Sequence, residues 1–193
     1  MIKLAILASG SGTNAENIVK YFSDSSQVKV RLIGANKSSA YVLERARKLG
    51  VSSFVFNKTD MESGEVLDRL SAEHIDYVIL AGFLLKVSDN LLQKFPTQII
   101  NIHPALLPKF GGKGMYGDHV HAAVIAKQEK ESGITIHLVN ENYDEGKILF
   151  QAKCPVNHAD TVESLASRIH KLEYEHFPKI IEDYILNRQV SDS

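Results

Sequence analysis

The chain has 193 residues, is 44% hydrophobic and 23% charged, and carries a formal net charge of −1 at pH 7. This length and apolar content suit one domain with a core of its own, and exclude a disordered or fibrous chain. Lys and Arg interleave with Asp and Glu, which excludes the basic face of a nucleic-acid binder, and the single cysteine, Cys154, excludes an internal disulfide and fits a reducing compartment.

The first apolar run, residues 2–8, ends in Ser-Gly-Ser-Gly. It is too short to span a membrane and lacks the basic lead-in of a signal peptide, so a buried strand in a cytoplasmic protein is expected. Ala15, Ile18, Val19 and Phe22 recur at helical spacing and predict a helix over 14–22. A strand over 28–35 and a helix over 41–49 follow, the helix stopped by Gly50. Further on the pattern predicts a strand over 53–56, a helix over 66–72, and buried strands over 77–83 and 98–103, the last ended by Pro104.

Strands alternating with helices indicate an α/β fold, a doubly wound, Rossmann-like and mostly parallel sheet. The pattern then changes. A glycine-rich stretch over 110–117 leads into a helix over 120–128. Strands over 134–140 and 147–156, joined by a polar turn at 141–146, suit an antiparallel pair. Asp160-Thr-Val-Glu163 reads as a capping box opening a long C-terminal helix through Leu165, Ile169 and Leu172, which Pro178 is expected to kink or divide. With no repeat and no low-complexity linker, residues 1–193 are expected to form a single domain.

Gly10-Ser-Gly12-Thr-Asn-Ala15 follows a strand and opens a helix, the setting in which free backbone N–H groups meet an anion. A tight turn that binds nothing is the plainer alternative. The next strand ends Gly34-Ala35-Asn36-Lys37 without the carboxylate that holds a dinucleotide ribose, and the loop lacks the Gly-Lys-Ser/Thr of a nucleotide triphosphatase. A phosphate monoester on a small substrate fits better than NAD or ATP.

Asn101 and His103 are two residues apart at the carboxyl end of a predicted strand, so their side chains share a face. An amide donor beside an imidazole can hold a developing oxyanion and give it a proton. A strand-end histidine bonded to a loop is the bland reading. Asp144, in Asn142-Tyr-Asp-Glu-Gly-Lys147, is either an ordinary turn residue or a carboxylate that favours the His103 imidazolium. His119, His121, His103 and His137 could supply metal ligands, yet none has the helical His-x-x-x-His spacing, and no metal is expected.

Ser9-Gly-Ser-Gly-Thr-Asn14, Leu80-Ala-Gly-Phe83, Asn101-Ile-His-Pro-Ala-Leu-Leu-Pro108 and Asp144-Glu-Gly-Lys-Ile148 occur in this order. Together they resemble the phosphoribosylglycinamide formyltransferase family, folate-dependent enzymes of purine synthesis, over nearly the whole chain. The resemblance implies a catalytic trio of Asn101, His103 and Asp144, with Gly12, Thr13 and Asn14 on the substrate phosphate and Glu173 on its ribose. Leu84, Leu85, Lys86 and Val87 match the segment bordering the folate pterin, and Asn140, Glu141 and Tyr143 its other wall. The expected halves are then phosphate-binding over 1–100 and catalytic and folate-binding over 101–193.

The implied co-substrate is 10-formyltetrahydrofolate and the implied amine glycinamide ribonucleotide, in a monomer or homodimer with no nucleic-acid or membrane partner. Transfer is expected to be direct, with Asn101 and protonated His103 on the oxyanion and Asp144 supporting the imidazolium. Two departures stand out. The family commonly has Phe-Met-Arg where this chain has Phe83-Leu-Leu-Lys86, and the stretch 111–117 is longer than usual and reads as a mobile flap.

Overall fold

The computed structural model describes residues 1–191, and its contacts divide the chain into two units, Met1–Asn101 and Ile102–Ser193. In the first unit β1 (Ile2–Ala8), β2 (Val28–Ala35), β3 (Ser52–Val55), β4 (Tyr77–Leu80) and the start of β5 (Ile99–His103) run in the order β3-β2-β1-β4-β5, every pair parallel. Parallel strands need crossovers, which α1 (Thr13–Tyr21), α2 (Val42–Lys48), α3 (Lys58–Ser63), α4 (Glu65–Ala72) and α5 (Asp89–Lys94) supply. Helices on the sheet faces explain the continuous apolar runs: Leu4, Ile6, Leu7, Ile33 and Ile79 are all fully buried. α1 shows the matching stripe, with Ala15 and Ile18 buried and Glu16 and Lys20 outward, joined across one turn at 2.5 Å.

β1 has β2 on one side and β4 on the other, so the winding of the chain reverses there. In such sheets ligands bind beyond the carboxyl ends of the strands at that reversal. The loops after β1 and β4 meet at that place: Ser9 N donates to the Gly82 carbonyl at 3.0 Å, and Leu84 N to Ser9 Oγ at 2.9 Å. β4 ends at Leu80 rather than Phe83, because residues 81–83 turn away to form this loop. Two short helices were not visible in the sequence pattern. α3 has six residues, too few to show a period, and is set by an Asn57–Asp60 capping box; α5 is equally short.

The second unit holds the end of β5, α6 (Asp118–Ala126), β6 (Glu131–Leu138), β7 (Ile148–Pro155) and α7 (Val162–Ser191). β6 and β7 are antiparallel, with Ile134 opposite Ala152 and a register shift at Ile136/His137. α7 buries Leu165, Ile169, Phe177, Ile181 and Ile185, mostly at four-residue spacing, and packs on both strands.

Two expectations about α7 are corrected. Its cap is Thr161, not Asp160: Thr161 Oγ1 accepts from Ser164 N at 3.2 Å and Ser164 Oγ from Thr161 N at 3.0 Å. Asp160 is instead drawn into an ion pair with Arg168, one residue before the reciprocal box. Pro178 sits inside a helix that runs on undivided, held by buried Phe177 and Ile181 on either side. Among the described residues no helix is long and apolar enough to cross a membrane.

Shortening Ile6 to Ala in the centre of β1 leaves a void among fully buried neighbours and is expected to cost about 2–5 kcal/mol, read as a lower urea midpoint at constant slope.

Candidate active site

β5 ends at His103 because Pro104 has no N–H to continue the ladder. The chain beyond it is fixed by Thr135 on β6, whose hydroxyl donates to the Ala105 carbonyl at 2.7 Å and accepts from Leu107 N at 3.0 Å. Gln151 on β7 closes the arrangement by donating to Thr135 Oγ1 and the Leu107 carbonyl. His137 is two residues beyond Thr135 on the same strand. The turn after β6 needs glycine at 146, where a Cβ would stand 1.7 Å from the Leu138 carbonyl oxygen. Within it Asp144 takes a left-handed backbone (φ 58°), which aspartate tolerates better than most residues.

These supports gather three groups around one carboxylate. His103 Nδ1 lies 3.5 Å from Asp144 Oδ2, and His137 Nε2 lies 3.5 Å from Asp144 Oδ1. Gly112 N donates to Asp144 Oδ2 at 2.9 Å. On the far side of each ring is a carbonyl: Phe110 O faces His103 Nε2 at 2.7 Å, and Leu138 O faces His137 Nδ1 at 2.8 Å. A carbonyl only accepts, so the proton of a neutral His103 sits on Nε2. The start of the glycine-rich stretch, read as a flap, is thus anchored to both His103 and Asp144.

His103 is 3% exposed. Burial, the largest influence, pushes its pKa below the usual imidazole value, against the pull of Asp144 and the Phe110 carbonyl. Burial and Asp144 thus act in opposite directions on its charge, and the carboxylate is the neighbour that favours the imidazolium. For Asp144 burial acts upward, but the His137 hydrogen bond, the His103 charge and the Gly112 amide outweigh it and hold the carboxyl below its ordinary value.

On α6 and α7 two further polar residues, His121 and Glu173, are buried, with an exposed His170 beside Glu173. Glu173 Oε2 accepts from His170 Nδ1 at 2.9 Å, and this carboxylate raises the His170 pKa. His121 is buried, its pKa lowered first by burial, and its Nδ1 has no hydrogen-bond partner among the described residues. The charge of Glu173 is felt at both His103 and His121. Among the described residues no group of three or more His, Cys, Asp or Glu side chains is arranged to hold a metal ion.

In the first unit Gly12 caps α1 in the left-handed region (φ 74°), and a Cβ there would lie 2.3 Å from Val42 Cγ2. Thr13 and Asn14 open α1. Leu84 and Lys86 are exposed and Val87 is buried in the segment after β4. In the second unit Glu141 and Tyr143 are exposed, and Asn140 Oδ1 accepts from Asn142 N at 3.1 Å. The sequence reading missed His137 except as a possible metal ligand, although Thr135 and His137 alternate on one face of a predicted strand. It missed Arg45 altogether, whose Nε donates to the Ser11 carbonyl at 2.8 Å.

A buried histidine at the end of a parallel strand, set against an aspartate, is an arrangement that can hold and move a proton. The family model described as Formyl transferase matches residues 2–181, and the chain belongs to this family. It is 43% identical to the chloroplastic phosphoribosylglycinamide formyltransferase of Arabidopsis thaliana over 97% of this chain and 68% of that one. The Bacillus subtilis phosphoribosylglycinamide formyltransferase is 35% identical over 96% of this chain and 95% of its own. The crystal structure of glycinamide ribonucleotide transformylase 1 from Symbiobacterium toebii superposes with a TM-score of 0.86 at 35% identity, covering 94% of this chain and 86% of that one. The chain is a folate-dependent formyltransferase of purine biosynthesis.

Because burial sets the folded pKa of His103 below its unfolded value, the folded state binds fewer protons at this group. Its contribution to stability is complete above about pH 6.5 and is lost as pH falls toward the folded pKa. His170, raised by Glu173, has the opposite sign: its contribution is present below the unfolded pKa and lost as pH rises. Replacing His103 by Gln is therefore expected to reduce the fall in Tm between about pH 8 and about pH 5, measured side by side with the wild type.

Proposed function

We propose that the chain transfers the formyl group of 10-formyltetrahydrofolate to the primary amine of glycinamide ribonucleotide, with Asn101, His103 and Asp144 as the catalytic residues. The observation that carries this reading is the buried His103 ring held between the Phe110 carbonyl and the Asp144 carboxylate. The amine nitrogen attacks the formyl carbon and its carbon–oxygen double bond opens to an alkoxide. Asn101, on the same strand face as His103, donates its amide N–H to that oxygen. His103 gives it the Nε2 proton, because an oxyanion is a stronger acceptor than the neutral Phe110 carbonyl.

The amine loses a proton through water to Asp144, which passes it to Nδ1 as His103 gives up the Nε2 proton. While the ring carries both protons, the Asp144 carboxylate offsets the cost of charging it in a buried place. On collapse the hydroxyl returns its proton to Nε2. The Nδ1 proton leaves through Asp144 and water to the folate N10 as the carbon–nitrogen bond to it breaks, so the proton lost by the amine is the one gained by N10. Donor and product exchange only a formyl group and a proton, so no oxidant or reductant enters. No covalent intermediate on the protein is needed.

Gly12, Thr13 and Asn14 hold the substrate phosphate on this reading, supported by the left-handed Gly12 cap at the start of α1. Glu173 bonds the ribose, supported by a buried carboxylate that is hydrogen-bonded to His170. Leu84, Leu85, Lys86 and Val87 border the pterin, as do Asn140, Glu141 and Tyr143. The names of the curated relatives support a phosphoribosylated glycinamide as the amine.

The test is the change in folate absorbance when purified protein meets 10-formyltetrahydrofolate with and without glycinamide ribonucleotide. Amine-dependent loss of the donor is expected. Donor loss without the amine would contradict transfer and indicate deformylation. Removing an oxyanion donor typically costs ~100- to 1,000-fold in rate, so His103→Ala is expected to lose at least that much kcat while keeping its circular-dichroism spectrum. Asp144→Asn is expected to lower kcat strongly as well, and near-normal turnover in either variant would contradict its role.

A further inference from the structure

The loop after β1 turns three successive carbonyls toward the protein. Gly10 O accepts from Val42 N at 3.1 Å, Ser11 O from Arg45 Nε at 2.8 Å, and Gly12 O from Glu16 N at 2.9 Å. In a trans peptide the N–H that follows a carbonyl points the opposite way. The amides of Ser11, Gly12 and Thr13 therefore face away from the groups that hold the carbonyls. Among the described residues none of the three donates a hydrogen bond. Successive amides presented together form an anion-binding concavity.

Two of these tethers run from backbone to backbone and are fixed by the fold. The middle one is a side chain. Arg45 comes from α2, whose first residue, Val42, already fills the space a Cβ on Gly12 would need. Its Nη1 is paired with Glu16 on α1, and its guanidinium carbon stands 5.1 Å from the Tyr41 ring centroid. Hydrogen bonds from Lys20 and Arg45 hold Glu16 below the usual carboxylate range, so it stays charged. With Glu16 neutralising it and its Nε spent on Ser11, Arg45 is committed to neighbouring groups.

Resting on the phosphate reading of Gly12, Thr13 and Asn14, we propose that Arg45 is a positioning residue for the phosphate. It holds the Ser11 carbonyl back so that the Gly12 amide faces the anion. Without it, the Ser11–Gly12 peptide is free to rotate and set a carbonyl oxygen against the phosphate, which repels where an N–H attracts. The ligand class this loop is shaped for is a phosphate monoester, and α2 sets its affinity from outside the contact.

The test compares wild type, Arg45→Ala and Arg45→Lys with glycinamide ribonucleotide and with the same amine lacking its 5′-phosphate. Wild type is expected to prefer the phosphorylated amine strongly in kcat/KM. Arg45→Ala is expected to raise KM for the phosphorylated amine at least tenfold, with kcat changed less than threefold and KM for the formyl donor within twofold. Inorganic phosphate should inhibit it correspondingly less well. Arg45→Lys keeps a donor within reach of the Ser11 carbonyl and is expected to recover most of the loss, which also covers an alanine variant that folds poorly.

A folded Arg45→Ala with an unchanged KM for the phosphorylated amine would overturn the proposal. So would an Arg45→Lys no better than alanine, since any donor at that place should serve. If wild type itself shows no preference for the phosphorylated amine, the phosphate reading of the loop falls first and the proposal with it.

Discussion

Everything in the second unit depends on keeping one imidazole dry and aimed. His103 is buried, bonded to the Phe110 carbonyl on one side and set 3.5 Å from Asp144 on the other. Burial alone would leave it neutral and inert toward a carboxylate. The Asp144 charge acts against burial and raises the His103 pKa, which is what the proposed proton transfer requires of it. The antiparallel pair β6–β7, the Thr135–Gln151 contacts and the left-handed turn at Asp144 all act to bring this carboxylate to that ring.

Asp144 is itself over-determined. Its two oxygens face different histidines, and one of them also takes the Gly112 amide. A carboxylate fixed by three partners on three segments cannot turn to solvent, so its charge is spent within the site. The cost is a peptide stretch, 110–112, packed so closely that a Cβ on Gly111 would come within 2.5 Å of Leu107. The first unit solves a related problem by simpler means: a loop whose carbonyls are all taken presents its amides without any buried charge.

Much of this was legible in the sequence. β1 and β5 announce themselves as aliphatic runs closed by a glycine loop or a proline, β2 by its alternation of Val28 and Val30 with Lys29 and Arg31, and Asn101 and His103 share a face through the two-residue strand period. Asp144 was legible only through the order of four motifs, because a lone Asp-Glu-Gly is indistinguishable from an ordinary turn. The rest depended on contacts between residues far apart in the chain. His137 lies 34 residues from His103 and meets the site through Asp144. Arg45 lies on a helix whose sequence gives no sign that its guanidinium reaches back to Ser11. Pro178, a local helix breaker, does not divide α7, where its neighbours Phe177 and Ile181 are buried.

The measurement closest to the central claim is a nitrogen-15 NMR titration of the His103 ring in wild type and in Asp144→Asn. A proton on Nε2, a pKa below the usual imidazole range, and a further fall when the carboxylate is removed are what the buried, bracketed ring requires. A His103 that titrates like a free histidine, indifferent to Asp144, would contradict the account at its root.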